Sequence, residues 1–259
     1  MNLGSRLVNL SFDLTDEVIV VTGGGSGIGA GFCQGCASSG ATVIAADIDE
    51  GKARRVSEEA KGPGRVEPAR LNVGDAEAVE AFFGDVIDRH GKVDALVQSA
   101  AIQPRNAIAD MPREEWLQVM DINLNGVFYC SKAIVSSMIE RRRGAIVTFT
   151  SGLAKSGHPK ASAYASTKAA LVAFTKSLAQ ELVPYNVRAN VIAPGVTDSP
   201  LFTEPNTSEE QEFFRKQKGV GTVEDVVDLL MFLISDASAA LTGSVLDREI
   251  ILSPPRGTR

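Results

Sequence analysis

Tyr164 and Lys168 stand four residues apart in 164-YASTK-168, a spacing that sets both side chains on one face of a helix. A phenol alone titrates near pH ~10, too high for a base at neutral pH. A neighbouring ammonium stabilises the phenolate, so the pair could move a proton at a substrate oxygen. Ser151 closes the apolar run 145–150, where its hydroxyl would sit at the carboxyl edge of a sheet, the edge at which open α/β sheets bind ligands. Each residue also has a plainer reading: Tyr164 as half-buried packing, Lys168 as surface, Ser151 as a turn former. The combination matters because a second chemical feature precedes it in the chain.

That feature is 18-VIVVTGGGSGIG-29, an apolar run that stops at Thr22 and opens into five glycines in seven residues (Gly23, Gly24, Gly25, Gly27, Gly29). Ile28, Phe32 and Cys36 follow at helical spacing, so the stretch reads as buried strand, glycine turn and helix. Glycines let a backbone approach a ligand closely, and the first N–H groups of a helix with its dipole favour an anion such as a pyrophosphate. The spacing is Gly-x-x-x-Gly-x-Gly rather than the commoner Gly-x-Gly-x-x-Gly. A second apolar run, 41-ATVIAA-46, ends at Asp47. A carboxylate there can accept both hydroxyls of an adenosine ribose and repels a 2′-phosphate, which favours NAD over NADP. Asp47 could instead cap the next helix, a role Asp49 could also fill.

The elements needed to position these residues alternate along the chain. Strands are expected near 17–22, 41–46, 65–71, 93–99, 144–150, 187–193 and 244–251, and helices near 27–39, 50–60, 75–90, 112–140, 161–183 and 223–235. Strands such as 145-AIVTF-149 are apolar on both faces, as parallel strands covered by helices should be. The expected fold is α/β: a Rossmann-type doubly wound, mostly parallel seven-stranded sheet with helices on both faces. Residues 1–13 read as a short extension and 14–259 as a single catalytic domain. Residues 198–220 show no periodic pattern, yet they carry Phe202, Phe213 and Phe214 and are expected to form a lid over a site.

Composition narrows the function. Hydrophobic residues at 44% and charged residues at 22% suit a globular chain with a large core, and a net charge of −6 without a basic stripe argues against nucleic acid. No apolar stretch reaches membrane-spanning length, residues 1–14 lack a signal-peptide pattern, and three cysteines make no disulfide framework. A cytoplasmic protein is therefore expected. Cys33 and Cys36 have the spacing of a metal or redox pair but no partner pair, so they read as packing residues and no metal is expected. Arg141, Arg142 and Arg143 read as a solvated helix end, His90 as a helix terminus, and His158 as a candidate for the edge of a substrate pocket.

From about Leu14 to Gly243 the sequence resembles the short-chain dehydrogenase/reductase family. The matching residues are 22-TGGGSGIG-29, Asp47, Asn123 in 121-DINLNG-126, Ser151, 164-YASTK-168 and 194-PGVTDSP-200. The resemblance implies an NAD-dependent oxidoreductase that interconverts a small-molecule alcohol and a ketone. In it Ser151 would bind the substrate oxygen and Tyr164 would exchange its proton. Lys168 would hold the nicotinamide ribose and lower the phenol pKa, and Asn123 would anchor a water relay. Gly23, Ser26, Gly27, Ile28 and Gly29 match the pyrophosphate loop. Asn72, Val73 and Ala100 match the adenosine side, with Asn72 in place of the family's Asp. Pro194, Gly195, Val196, Thr197 and Ser199 would line the nicotinamide. A homotetramer built on the helices near 112–140 and 161–183 is also implied. Two departures stand out: 98-QSAA-101 replaces Asn-Asn-Ala-Gly, so that the Cβ of Ala101 is expected to crowd the adenosine side, and the last strand lacks the family's Asp-Gly-Gly. A dinucleotide-binding protein without turnover, and an epimerase or dehydratase on the same fold, are the alternatives.

Overall fold

The computed structural model describes residues 12–217 and 219–248. Seven strands, β1 (Val18–Thr22), β2 (Thr42–Asp47), β3 (Arg65–Arg70), β4 (Ala95–Gln98), β5 (Gly144–Phe149), β6 (Val187–Ala193) and β7 (Val245–Asp247), form one sheet in the order β3-β2-β1-β4-β5-β6-β7. Every pairing among the described residues is parallel, as the expected doubly wound sheet requires. Parallel neighbours need crossovers, and helices supply them: α1 (Gly27–Ser38), α2 (Glu50–Glu59), α3 (Ala76–His90), α4 (Arg113–Met120), α5 (Gly126–Arg141), α6 (Leu153–Ser156), α7 (Ser162–Leu182), α8 (Pro200–Thr203), α9 (Ser208–Gln217) and α10 (Val223–Ile234).

The two-residue period of a strand sends alternate side chains to opposite faces, and β1 does this with apolar residues throughout. Ile19 and Val21 join a core with Phe32, Cys33 and Cys36 of α1 and Val226 and Leu230 of α10. Val18 and Val20 join another with Phe83 of α3, Ile134 of α5 and Leu182 of α7. A strand apolar on both faces is stable only when helices cover both, which is the layering observed. Winding outward from β1 in one direction and from β4 in the other leaves a crevice beyond their carboxyl ends, the place where such sheets bind ligands.

Several expectations are corrected. The helix expected over 112–140 is three segments, because the π-helical turn Asp121–Asn125 lies between α4 and α5. The aperiodic stretch 198–220 contains α8 and α9. The last strand ends at Asp247, and of its expected extent 249–251 lies outside the described residues, as do 1–11 of the expected extension. Arg141 is not simply solvated: it donates to the Val93 carbonyl at 3.0 Å and pairs with buried Asp94, which also accepts the Val18 N–H at 2.9 Å. His90 lies 3.2 Å from Glu67 and is not a plain terminus.

Candidate functional site

The turn from β1 into α1 forms the floor of the crevice. Gly23 (φ +69°) and Gly27 (φ +52°) adopt left-handed backbone that other residues rarely take. A Cβ on Gly23 would lie 2.7 Å from the Ala100 nitrogen, and one on Gly29 would run into the Gly23 carbonyl. The turn and the loop after β4 can therefore touch only through glycine. Ser26 caps α1 in extended conformation without spending its hydroxyl on a cap bond. Gly23, Ser26, Gly27, Ile28, Asp47, Asn72, Val73, Ala100, Ala101 and Ser199 line a cleft of about 220 Å³. A glycine-floored helix start with main-chain donors is the chemistry that holds a pyrophosphate.

The Asp47 carboxylate accepts the Gly25 N–H at 3.0 Å and the Asp49 N–H at 3.0 Å. Asp49, not Asp47, caps α2 by accepting the Lys52 N–H at 3.2 Å, so Asp47 remains at the cleft wall. Ala101 lies outside the left-handed region, so its Cβ carries no backbone strain. The Asn72 side-chain oxygen accepts the Gly74 N–H at 3.1 Å, turning the chain into α3.

A second cleft, about 450 Å³, shares Ile28, Ser199 and Leu201 with the first, so the two are continuous. Ser151, Tyr164, Pro194, Gly195, Val196 and Thr197 line it, together with His158, Phe202, Phe213 and Phe214. The ring of Phe214 on α9 has its centroid 5.9 Å from that of Phe202 on α8 and 6.4 Å from that of His158. Gly195 (φ +70°) turns the chain after β6, and the Gly221 N–H bonds the Val196 carbonyl at 2.8 Å.

Tyr164 and Lys168 share a face of α7, both buried. The Lys168 ammonium donates to the Phe149 carbonyl at 3.0 Å and lies 5.5 Å from the Tyr164 ring centroid. The expected pKa effect is corrected. Burial pushes the phenol up to about 12, while a hydrogen bond with Ser151 and the charge of Arg105 pull it down. Burial also brings the Lys168 ammonium down to about 8. Desolvation disfavours the charged form of each group, a cost that i, i+4 spacing does not reveal.

Asn123 projects from the π-helical turn into the interior. Its amide oxygen accepts the Ile102 N–H at 2.9 Å and its amide nitrogen donates to the Ile102 carbonyl at 2.9 Å. It thereby holds the loop after β4 at the wall of the first cleft. Sequence reasoning missed Arg105, which lines the second cleft, because its stretch is aperiodic and it meets the site only through tertiary folding. It also missed Arg248, which donates to the Pro194 carbonyl at 3.1 Å and pairs with Asp225 at 2.7 Å. Cys33 and Cys36 are buried within the core, and no group of three metal-ligating side chains occurs among the described residues. No helix among them is long and apolar enough to cross a membrane.

A sequence model described as short chain dehydrogenase matches residues 17–210. The chain is 36% identical over 236 residues to a 3-oxoacyl-(acyl-carrier-protein) reductase of Thermotoga maritima, covering 90% of this chain and 96% of that one. It is 35% identical over 230 residues to carbonyl reductase (NADPH) 2 of Sus scrofa, covering 87% and 91%. Among solved structures, a 3-oxoacyl-(acyl-carrier protein) reductase with bound NAD from Brucella melitensis superposes with a TM-score of 0.83 at 32% identity, covering 92% of each chain.

Proposed function

The chain belongs to the short-chain dehydrogenase family, and on that premise we propose that it is an oxidoreductase interconverting a secondary alcohol and a ketone with NAD(H). The described residues from 14 onward form one catalytic domain, with 198–220 as its lid over the second cleft. The observation that carries the reading is the placement of the Tyr164 phenol beside Ser151 in a cleft continuous with the glycine-floored one.

When bound, the nicotinamide supplies or takes the hydride. Gly23, Ser26, Gly27, Ile28 and Gly29 would hold the pyrophosphate, Asn72, Val73 and Ala100 the adenosine side, and Pro194, Gly195, Val196, Thr197 and Ser199 the nicotinamide side. In the reducing direction Ser151 donates a hydrogen bond to the ketone oxygen. As the carbonyl carbon gains hydride, that oxygen gains the Tyr164 proton. A phenol raised to about 12 stays protonated at neutral pH and is still far more acidic than an alcohol. Lys168 fixes the active-site end of α7 and binds the nicotinamide ribose. Asn123 holds the Ile102 loop and anchors a water path.

The relatives' names point to both cofactors, and Asp47 supports NAD. Its carboxylate lines the first cleft, and a carboxylate at the end of the second strand would repel a 2′-phosphate and accept ribose hydroxyls. NADH and NADPH oxidation across a panel of ketones tests the proposal. NADH should be preferred at least about tenfold in kcat/KM, the scale of one charge-assisted hydrogen bond. Equal or better use of NADPH contradicts the cofactor assignment, and no ketone-dependent oxidation of either contradicts the reaction.

A further inference from the structure

Arg105 lies in the loop after β4, half-buried, on the wall of the second cleft. Among the described residues no carboxylate comes within ion-pair distance of it. Arg89, Arg141, Arg215 and Arg248, by contrast, each hold an acidic partner. Its partners are neutral: Nη1 meets His158 Nδ1 at 2.7 Å and Nη2 meets Asn206 Oδ1 at 3.5 Å. Its Nε is buried with no partner among the described residues. A guanidinium can only donate, so Nδ1 of His158 accepts, and the 2.8 Å approach of Nδ1 to the Pro159 carbonyl is not a hydrogen bond. That tautomer leaves Nε2–H of His158 as a donor.

A half-buried arginine without a contacting carboxylate leaves part of its desolvation uncompensated, and its fixed fork of donors matches a carboxylate. Glu210 on the exposed face of α9 feels the charge of Arg105 but lies beyond ion-pair distance, and its carboxylate accepts the Thr207 N–H at 2.8 Å. We propose that Arg105, held by His158 and Asn206, binds the carboxylate of the substrate, so that the cleft takes short oxo and hydroxy acids. The inference rests on the oxidoreductase reading for the reacting end of the same cleft. Arg105 and Tyr164 face one cavity of about 450 Å³, so a carboxylate on Arg105 and a carbonyl at Tyr164 would share it. Phe202 and Phe214 supply the apolar wall beside it.

The test uses the full chain with NADH and compares short 2- and 3-oxo acids with their neutral amides. In the unmutated protein kcat/KM should favour the acids by at least about tenfold. The ratio should fall toward one in Arg105→Met and recover in part in Arg105→Lys. Calorimetric titration of the same acids into NADH-loaded Tyr164→Phe reads binding without turnover. Heat there that disappears when Arg105→Met is added supports the anion site even if no ketone is reduced and the oxidoreductase reading fails. Equal use of acids and amides, an acid preference unchanged in Arg105→Met, or no heat with any acid overturns the inference. The first two leave the oxidoreductase reading standing.

Discussion

The environment of a side chain, rather than its type, sets what Tyr164 and Lys168 can do. Their spacing in 164-YASTK-168 was legible as one helix face, but the depth of that face was not. Both groups are buried, and burial moves the phenol up to about 12 and the ammonium down to about 8. The lysine shift is also a statement about stability. The unfolded chain takes up the Lys168 proton below about 10.5 and the folded chain only below about 8, so between them the unfolded state binds more protons and stability rises with pH. The contribution is on the order of a few kcal/mol. Guanidinium unfolding at pH 7.5 and pH 10 should show the rise, reduced in Lys168→Met by that amount; an identical pH dependence in the two proteins would place the ammonium in water. Asp47 gives a second expectation at this scale. Asp47→Ala should narrow the gap between NADH and NADPH in kcat/KM, because the repulsion of a 2′-phosphate goes with the carboxylate. A preference for NADH as strong in the variant as in the parent would assign the selectivity elsewhere.

Elements were read well where the hydrophobic period was strong and poorly where tertiary contacts override it. The seven strands fall close to their expected places because runs such as 18-VIVV-21 and 145-AIVTF-149 have one plausible home, a sheet covered on both faces. The break between α4 and α5 was invisible, since a π-helical turn keeps helical composition and only widens the backbone. Its consequence is Asn123, whose two bonds to Ile102 tie the helix to the loop after β4. Asn123→Ala leaves a part-buried main-chain donor and acceptor of Ile102 without their partner, so it should cost about 1–3 kcal/mol in denaturant unfolding. It should also weaken NADH binding, measured by fluorescence titration. Unchanged stability and affinity would remove Asn123 from any role in holding the loop. The two helices within 198–220 escaped pattern reading because α8 is four residues long and α9 is largely polar; of the phenylalanines that suggested burial, Phe202 is buried and Phe213 stays exposed.

At the scale of the whole molecule, the surplus apolar surface read from the helices is partly absorbed by the chain itself. Leu171 and Leu178 of α7 are buried in its own core, whereas Leu117 of α4 and Phe128 of α5 remain 45% exposed each. Exposed large apolar residues on adjoining helices suit subunit contact. Light scattering at micromolar concentration should give four chains per particle, and Phe128→Arg should shift the population to smaller species; a monomer would contradict this. The catalytic claim joins every scale, because it needs the helix that carries Tyr164, the sheet edge that carries Ser151 and the glycine floor beside them. Tyr164→Phe keeps the ring and removes only the hydroxyl, so it tests that claim most directly, with ketone-dependent NADH oxidation measured alongside NADH affinity and melting temperature. The account predicts turnover lowered by about 10²–10⁴ with affinity and melting nearly unchanged. Near-full activity in Tyr164→Phe would contradict it, since the proton would then come from another group.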